Sequence, residues 1–288
     1  MTKVAIVTDS TAYLPDEHIQ ENSITVVPLQ VIWGEESFLD GVDITPQTFY
    51  ERLRTSDLLP STSQPSPAAF TQVYSKLLND GYDILSLHIS SGLSGTVASA
   101  FQARELLPDG NIEIIDTLST TMTMGFQVLK AARAAKNGAT LQECKALANT
   151  ANEHSGVFFA VSTLEFLHRG GRIGGGAAFL GNMLNLKPVL GLEEGKIQAV
   201  ERIRTMHKAL DRLIELAEND MDMNGPIYLA TISSNAEEDA RKLLQRAIER
   251  LGEEKVKESY YADISPVIGT HTGPGTIGLC YSSGFDLD

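Results

Sequence analysis

Hydroxyls, an imidazole and glycines gather in three short stretches of this sequence. The first is Pro60-Ser61-Thr62-Ser63-Gln64-Pro65-Ser66-Pro67. Its prolines stiffen the backbone, and Ser66 ahead of Pro67 reads as the N-cap of a helix with Pro at its first position. Thr62 stands too far upstream to cap that helix, so its hydroxyl is available for something else. The second is Ser90-Ser91-Gly92-Leu93-Ser94-Gly95-Thr96, between an apolar run and a helical stretch. Open α/β sheets bind ligands beyond the carboxyl ends of their strands, where glycine allows close approach and a helix N-terminus presents free N–H groups. The third, Ser265 to Gly275, carries His271 between Thr270 and Thr272 and reads as a rigid, glycine-rich loop that something approaches closely. Asp9-Ser10-Thr11 makes a fourth polar strand end, expected to support the others. Capping and turn formation explain most of these residues one at a time. Together, Thr62, Ser94 and His271 offer donors that can solvate an anion without a fixed cation.

These loops need a scaffold. Val4–Val7, Ile84–Ile89 and Ile112–Ile115 are rich in β-branched residues without alternation, as strands buried on both faces are. Between them, Phe70, Val73, Tyr74, Leu77 and Leu78 make one helical face that stops near Gly81. Thr140-Leu141-Gln142-Glu143 has capping-box spacing ahead of a stripe through Cys144, Leu147 and Ala151. Strand and helix alternating in this order predict a parallel, doubly wound sheet. Further on, Val157–Val161 and Ile227–Ile232 read as strands, with helices over Leu210–Ala217 and Leu243–Leu251. The glycine-rich Arg169–Gly176 leads into an apolar helix expected over Ala177–Leu184, and Gly275–Ser283 reads as a last strand. The change of texture near residues 150–156 places a boundary between an N-terminal α/β domain, 1–153, and a C-terminal α/β domain, 154–288.

With 42% hydrophobic residues, the 288-residue chain can bury a sizeable core. Its formal net charge of −14 argues against nucleic acid as a partner and allows at most transient contact with an anionic membrane. The apolar run at Val4 is too short for a signal peptide, and no run reaches the roughly 20 residues that span a bilayer, so a cytoplasmic location is expected. Cys144 and Cys280 lack metal-ligand spacing; no metal or cofactor is expected.

Five motifs in register resemble the DegV family: Thr8-Asp9-Ser10-Thr11, Ser61 to Ser66, Ser91 to Thr96, Arg169-Gly170-Gly171-Arg172-Ile173 and Pro266 to Gly275. Val97-Ala98 and His168 depart from the residues common in relatives at those places. The resemblance implies a three-layer N-terminal domain with a parallel sheet and a C-terminal α/β domain with a mixed sheet. It implies a non-enzymatic carrier of a long-chain fatty acid such as palmitate or oleate, the acyl-carrying subunit of a bacterial fatty acid kinase serving phospholipid metabolism. By the same resemblance Thr62 and Ser94 hydrogen-bond the carboxylate with His271 close by, Ser63, Gly95 and Thr270 adjoin them, and the second half encloses the tail. Arg172, Arg202 and Arg204, with Arg169, would dock the kinase; for any one of them, a solvated face pairing with Glu193, Glu194 or Glu201 is the plainer explanation. A sixteen-carbon tail gains about 11 kcal/mol gross at roughly 0.8 kcal/mol per methylene, against an association cost of about 4–15 kcal/mol, so it must be nearly engulfed. Val157-Phe158-Phe159 and Ala177 to Leu180 with Met183-Leu184 are candidate walls, although core packing explains them equally well.

Two other classes fit parts of the pattern. Ser94, His271 and Asp9 suggest a serine hydrolase or esterase, but Gly92-Leu93-Ser94-Gly95 lacks the Gly-x-Ser-x-Gly spacing of a nucleophile elbow. Glycine-rich strand ends also suit a sugar phosphate, which requires a polar pocket.

Overall fold

The computed structural model describes residues 2–182 and 186–288. The chain opens with β1 (Lys3–Asp9), α1 (Asp16–Glu21), β2 (Thr25–Val27), β3 (Gln30–Trp33) and β4 (Glu36–Leu39). Next come α2 (Pro46–Thr55), β5 (Ser61–Ser63), α3 (Pro67–Asn79), β6 (Tyr82–His88), α4 (Thr96–Glu105) and β7 (Ile112–Asp116). Two helices, α5 (Thr121–Lys136) and α6 (Leu141–Glu153), lead to β8 (Ser155–Ala160) and the short α7 (Glu165–Arg169). After a 3₁₀ segment, Gly174–Asn182, follow β9 (Lys187–Glu193), β10 (Lys196–Ile203), α8 (Met206–Asp220) and β11 (Ile227–Ser233). The chain closes with α9 (Glu237–Leu251), β12 (Val256–Asp263), α10 (Pro266–Thr272) and β13 (Ile277–Ser283).

Four parallel strands in the order β2-β1-β6-β7 form the first sheet. One face packs Val7 and Ile84 against Phe70 and Tyr74 of α3 and Ala100 of α4; the other packs Ile6 and Leu87 with α5 and α6. The second sheet is mixed, in the order β10-β9-β8-β13-β11-β12, and α8 and α9 cover one of its faces. This is the α/β architecture expected, a parallel sheet followed by a mixed one. The expected caps are present: Ser66 accepts from Ala69 N–H, and Thr140 with Glu143 completes a capping box, a motif worth about 1 kcal/mol.

Three features depart from the sequence reading. A small antiparallel sheet, β4-β3-β5, carries Thr62 on its edge strand opposite Val31. Its strands are three or four residues long, too short for periodicity to reveal. The stretch read as a rigid loop around His271 contains α10, which starts with the same Ser-Pro signal as α3. The apolar stretch from Ala177 is 3₁₀ through Asn182, and Ala177 and Ala178 are exposed. Met183 and Leu184 lie outside the described residues, as does the side chain of Leu180.

Helix α5 connects the halves. Every residue from Thr121 to Ala132 is buried, and one apolar cluster joins it to Leu87 of the first sheet and to Val157, Ala230 and Cys280 of the second. The proposed boundary at 153/154 falls between α6 and β8, and this shared core runs across it.

Candidate functional site

A narrow cavity opens between the two sheets and the small one. About 80 Å³ of it admits the centre of a water-sized sphere, several times the ~10–15 Å³ one water needs on that measure. Most of its wall is apolar, including Ile89, Val157, Phe159, Leu192 and Ile232. Strand parity sorts the run proposed as a wall: Val157 and Phe159 face the cavity, while Phe158 packs on the opposite side near Tyr281. Phe179 lies behind the wall, against the Phe159 and Leu167 cluster, with the Arg202 guanidinium over its ring at 4.8 Å.

Polar side chains from distant segments meet at this cavity. Thr62 and Ser63 come from β5, Ser94 from the turn before α4, and His271 from α10. Thr62 Oγ1 lies 2.8 Å from His271 Nε2. Burial first, and then the nearby Arg172 charge, push the His271 pKa down to about 4. The ring is therefore neutral at pH 7. Among the described residues, His271 Nδ1 is buried without a partner. A neutral ring pays less for a buried lone pair there than for a buried N–H. The proton thus belongs on Nε2, which donates to Thr62 Oγ1 and frees the Thr62 hydroxyl proton to point elsewhere.

Glycine makes this packing possible. Gly170, at the end of α7, sits so close to His271 that an added Cβ would fall inside van der Waals contact of Nδ1. Gly273, with φ +73°, ends α10 against the Phe166 ring in the same way. On the second loop, Ser94 Oγ pairs with Thr96 Oγ1 at 2.9 Å and accepts from Thr96 N–H. Ser90 donates to the Gly195 carbonyl in the turn between β9 and β10, and that turn leaves room at Gly92 only for hydrogen.

Several expected residues sit differently. Thr270 points away, donating to the Pro266 carbonyl, whereas Ile268, His271 and Thr272 share the cavity face. Helical spacing, invisible while the segment reads as a loop, accounts for the exchange. Gly95 does not line the cavity but packs against Gln64, which does. Arg172, assigned to a docking surface, is half-buried in the cavity wall. Its Nε donates to the Leu93 carbonyl at 3.2 Å and its Nη1 to the Gly170 carbonyl at 2.7 Å. A fixed cation therefore stands beside His271, contrary to the expectation of a cation-free site. Arg202 is exposed on β10 and Arg204 just past its end; Arg169 pairs with Glu165, and Glu201 pairs with Arg212.

The hydrolase arrangement is not assembled. Asp9 accepts from His88 Nδ1 at 3.1 Å and from Ile89 N–H, and His88 Nε2 meets Ser86 Oγ, to which Tyr74 donates. Ser86 and His88 are fully buried. This chain fixes the strand end that carries Ile89, while Ser94 and His271 bond elsewhere. The mainly apolar wall likewise disfavours a sugar phosphate. Among the described residues no helix is long and apolar enough to cross a membrane.

Residues 3–284 match the family described as uncharacterised protein, DegV family. Protein DegV of Bacillus subtilis is 35% identical over 284 residues, covering 96% of this chain and 98% of its own. A DegV family protein from Thermus thermophilus, described for its fatty acid binding, superposes with TM-score 0.90 at 38% identity, covering 98% of this chain and 99% of its own. DegV of Bacillus subtilis, described as a fatty acid binding protein, gives TM-score 0.89 at 34% identity, covering 98% and 100%. A stearic acid-binding protein from Eubacterium ventriosum gives 0.88 at 27% identity, covering 98% of each chain. With motifs, fold and polar cluster in agreement over nearly its full length, this chain belongs to the DegV family.

Proposed function

We propose that this protein binds one long-chain fatty acid, its tail in the apolar cavity and its carboxylate at Thr62, Ser94 and His271. The observation that carries the reading is the meeting of Thr62 and His271, 209 positions apart, in the wall of a mainly apolar cavity. A buried carboxylate without partners carries a penalty of several kcal/mol. The freed Thr62 hydroxyl and the Ser94 hydroxyl are donors of the right kind, and Arg172 balances the charge. Ser63 and Gln64 rim the same cluster, and Gly95 keeps Gln64 close. Relatives described as binding fatty acid, one of them stearic acid, support the ligand class.

Titration with palmitate and with 1-hexadecanol tests this reading. The two share a tail, so palmitate should bind more tightly by about 10-fold or more if the cluster receives a carboxylate. Equal affinities, or no binding of either, refute it.

We further propose that the bound acid is presented to a fatty acid kinase that docks on Arg202 and Arg204. Arg202 is exposed near the end of β10 and Arg204 is exposed just past it, and the hairpin turn of that strand abuts the Ser90–Ser94 loop. Reversing both charges (Arg202→Glu, Arg204→Glu) should abolish acyl-phosphate formation by such a kinase while bound lipid is retained. Loss of the lipid itself contradicts docking.

A further inference from the structure

The head-group cluster joins two elements that do not share a sheet: Thr62 rides on β5, and His271 on α10. Something must register one against the other to within the tolerance of a 2.8 Å contact. A seven-residue helix does not hold itself in place. Its own N-cap residue, Ser265, makes no side-chain capping bond; its backbone N–H donates instead to Tyr13 OH at 2.8 Å.

The missing cap comes from another segment. Asp40, 1% exposed, accepts the Val267 N–H of the first turn of α10 through Oδ1 at 3.1 Å. Its Oδ2 accepts from Ser10 Oγ at 2.7 Å, and Ser10 Oγ in turn accepts from Leu29 N–H. The Asp40 N–H donates to the Leu29 carbonyl. Asp40 directly follows β4, whose Leu39 pairs with Gln30; Gln30 also pairs with Ser63, the neighbour of Thr62. One carboxylate thus ties the sheet edge bearing Thr62 to the helix bearing His271.

We propose that Asp40 is a positioning residue for head-group recognition, capping α10 from the small sheet so that His271 meets Thr62. This rests on the fatty-acid reading above and adds a residue outside the cavity wall. Asn at position 40 preserves the arrangement: its Oδ1 accepts from Val267 N–H and its Nδ2 donates to Ser10 Oγ. Ala preserves neither bond.

The test compares palmitate and 1-hexadecanol affinities in the wild type, Asp40→Ala, Asp40→Asn and Ser10→Ala, with the His271 titration followed by NMR. Asp40→Ala should cut the preference for palmitate over hexadecanol about 10-fold, with hexadecanol affinity within about 2-fold of wild type. As the ring loses its packed site, its pKa should climb from about 4 toward an ordinary imidazole value near 6.5. Asp40→Asn should keep both properties, and Ser10→Ala should move both in the direction of Asp40→Ala by less. An unchanged preference in Asp40→Ala, or equal loss of both ligands with the His271 titration unmoved, overturns the assignment. Should Asp40→Ala not fold, Ser10→Ala decides, and an unchanged preference there overturns it equally. If wild-type protein itself binds neither ligand, the fatty-acid reading fails before Asp40 is tested.

Discussion

Substituting Gly170 by Ala isolates the His271 geometry from the rest of the fold. Gly170 has φ −75° and ψ −6°, a conformation open to any L-residue. Backbone strain is therefore absent, and reduced chain entropy alone would stabilise the protein by about 0.4–1 kcal/mol. The added methyl, however, overlaps His271 Nδ1, and the nearby Phe166 carbonyl closes off another direction of escape. To recover ordinary van der Waals separation the ring must retreat by about 1 Å or more. The 2.8 Å contact with Thr62 then stretches beyond a hydrogen bond. A hydrogen bond that helps hold a charged ligand is worth about 1.5–3 kcal/mol, so palmitate affinity should fall by about 10- to 150-fold. Isothermal titration with palmitate, run beside thermal unfolding of the ligand-free protein, reads both quantities. Wild-type palmitate affinity in a folded Gly170→Ala protein would refute the role given to the His271 position.

Removing the second hydroxyl, Ser94→Ala, should weaken palmitate binding by about 1–3 kcal/mol with hexadecanol little changed; unchanged palmitate affinity refutes its place in the cluster. The hydroxyl of Thr120 is buried in the cavity wall without a partner among the described residues. Thr120→Val should therefore leave the fold intact and tighten stearate by about 1 kcal/mol, and weaker binding by titration would show that this hydroxyl does contact the ligand. Acidification sets two groups against each other. Burial raises the Asp40 pKa to about 6, so the folded state binds the proton first and this residue adds stability as pH falls from 6 toward 4. The His271 pKa is held down at about 4, so its contribution is complete above 6.5 and is lost as pH falls through that window toward 4. Each amounts to about 3 kcal/mol. Denaturant unfolding should show Asp40→Asn losing ground to wild type between pH 7 and 4, and His271→Gln gaining ground; parallel pH profiles contradict these assignments.

Long periodic elements were legible because burial writes itself into their sequence. The β-branched runs of β1, β6 and β7, the Ser66 cap and the Thr140 box lie where the residues indicate. The family motifs picked out Thr62, Ser94 and His271, which do line one cavity. Short elements were not legible. With three residues, β5 shows no period, and α10 was masked by the glycines and threonines that let it pack against Gly170 and Tyr50. Missing α10 led to Thr270 in place of Thr272, since only a helix turns the side chains 268, 271 and 272 to one face. Arg172 looked like one more surface arginine because nothing local marks a guanidinium that will bond the carbonyls of Leu93 and Gly170. Asp40 gave no signal, as its partners Ser10 and Val267 are 30 and 227 positions away.

Native mass spectrometry of the purified protein, before and after organic extraction and reloading with palmitate, measures occupancy directly. The expected result is a single adduct with the mass of one long-chain fatty acid, removed by extraction and restored by palmitate but not by a sugar phosphate. A chain that carries no acid, and takes up none when palmitate is supplied, contradicts the account.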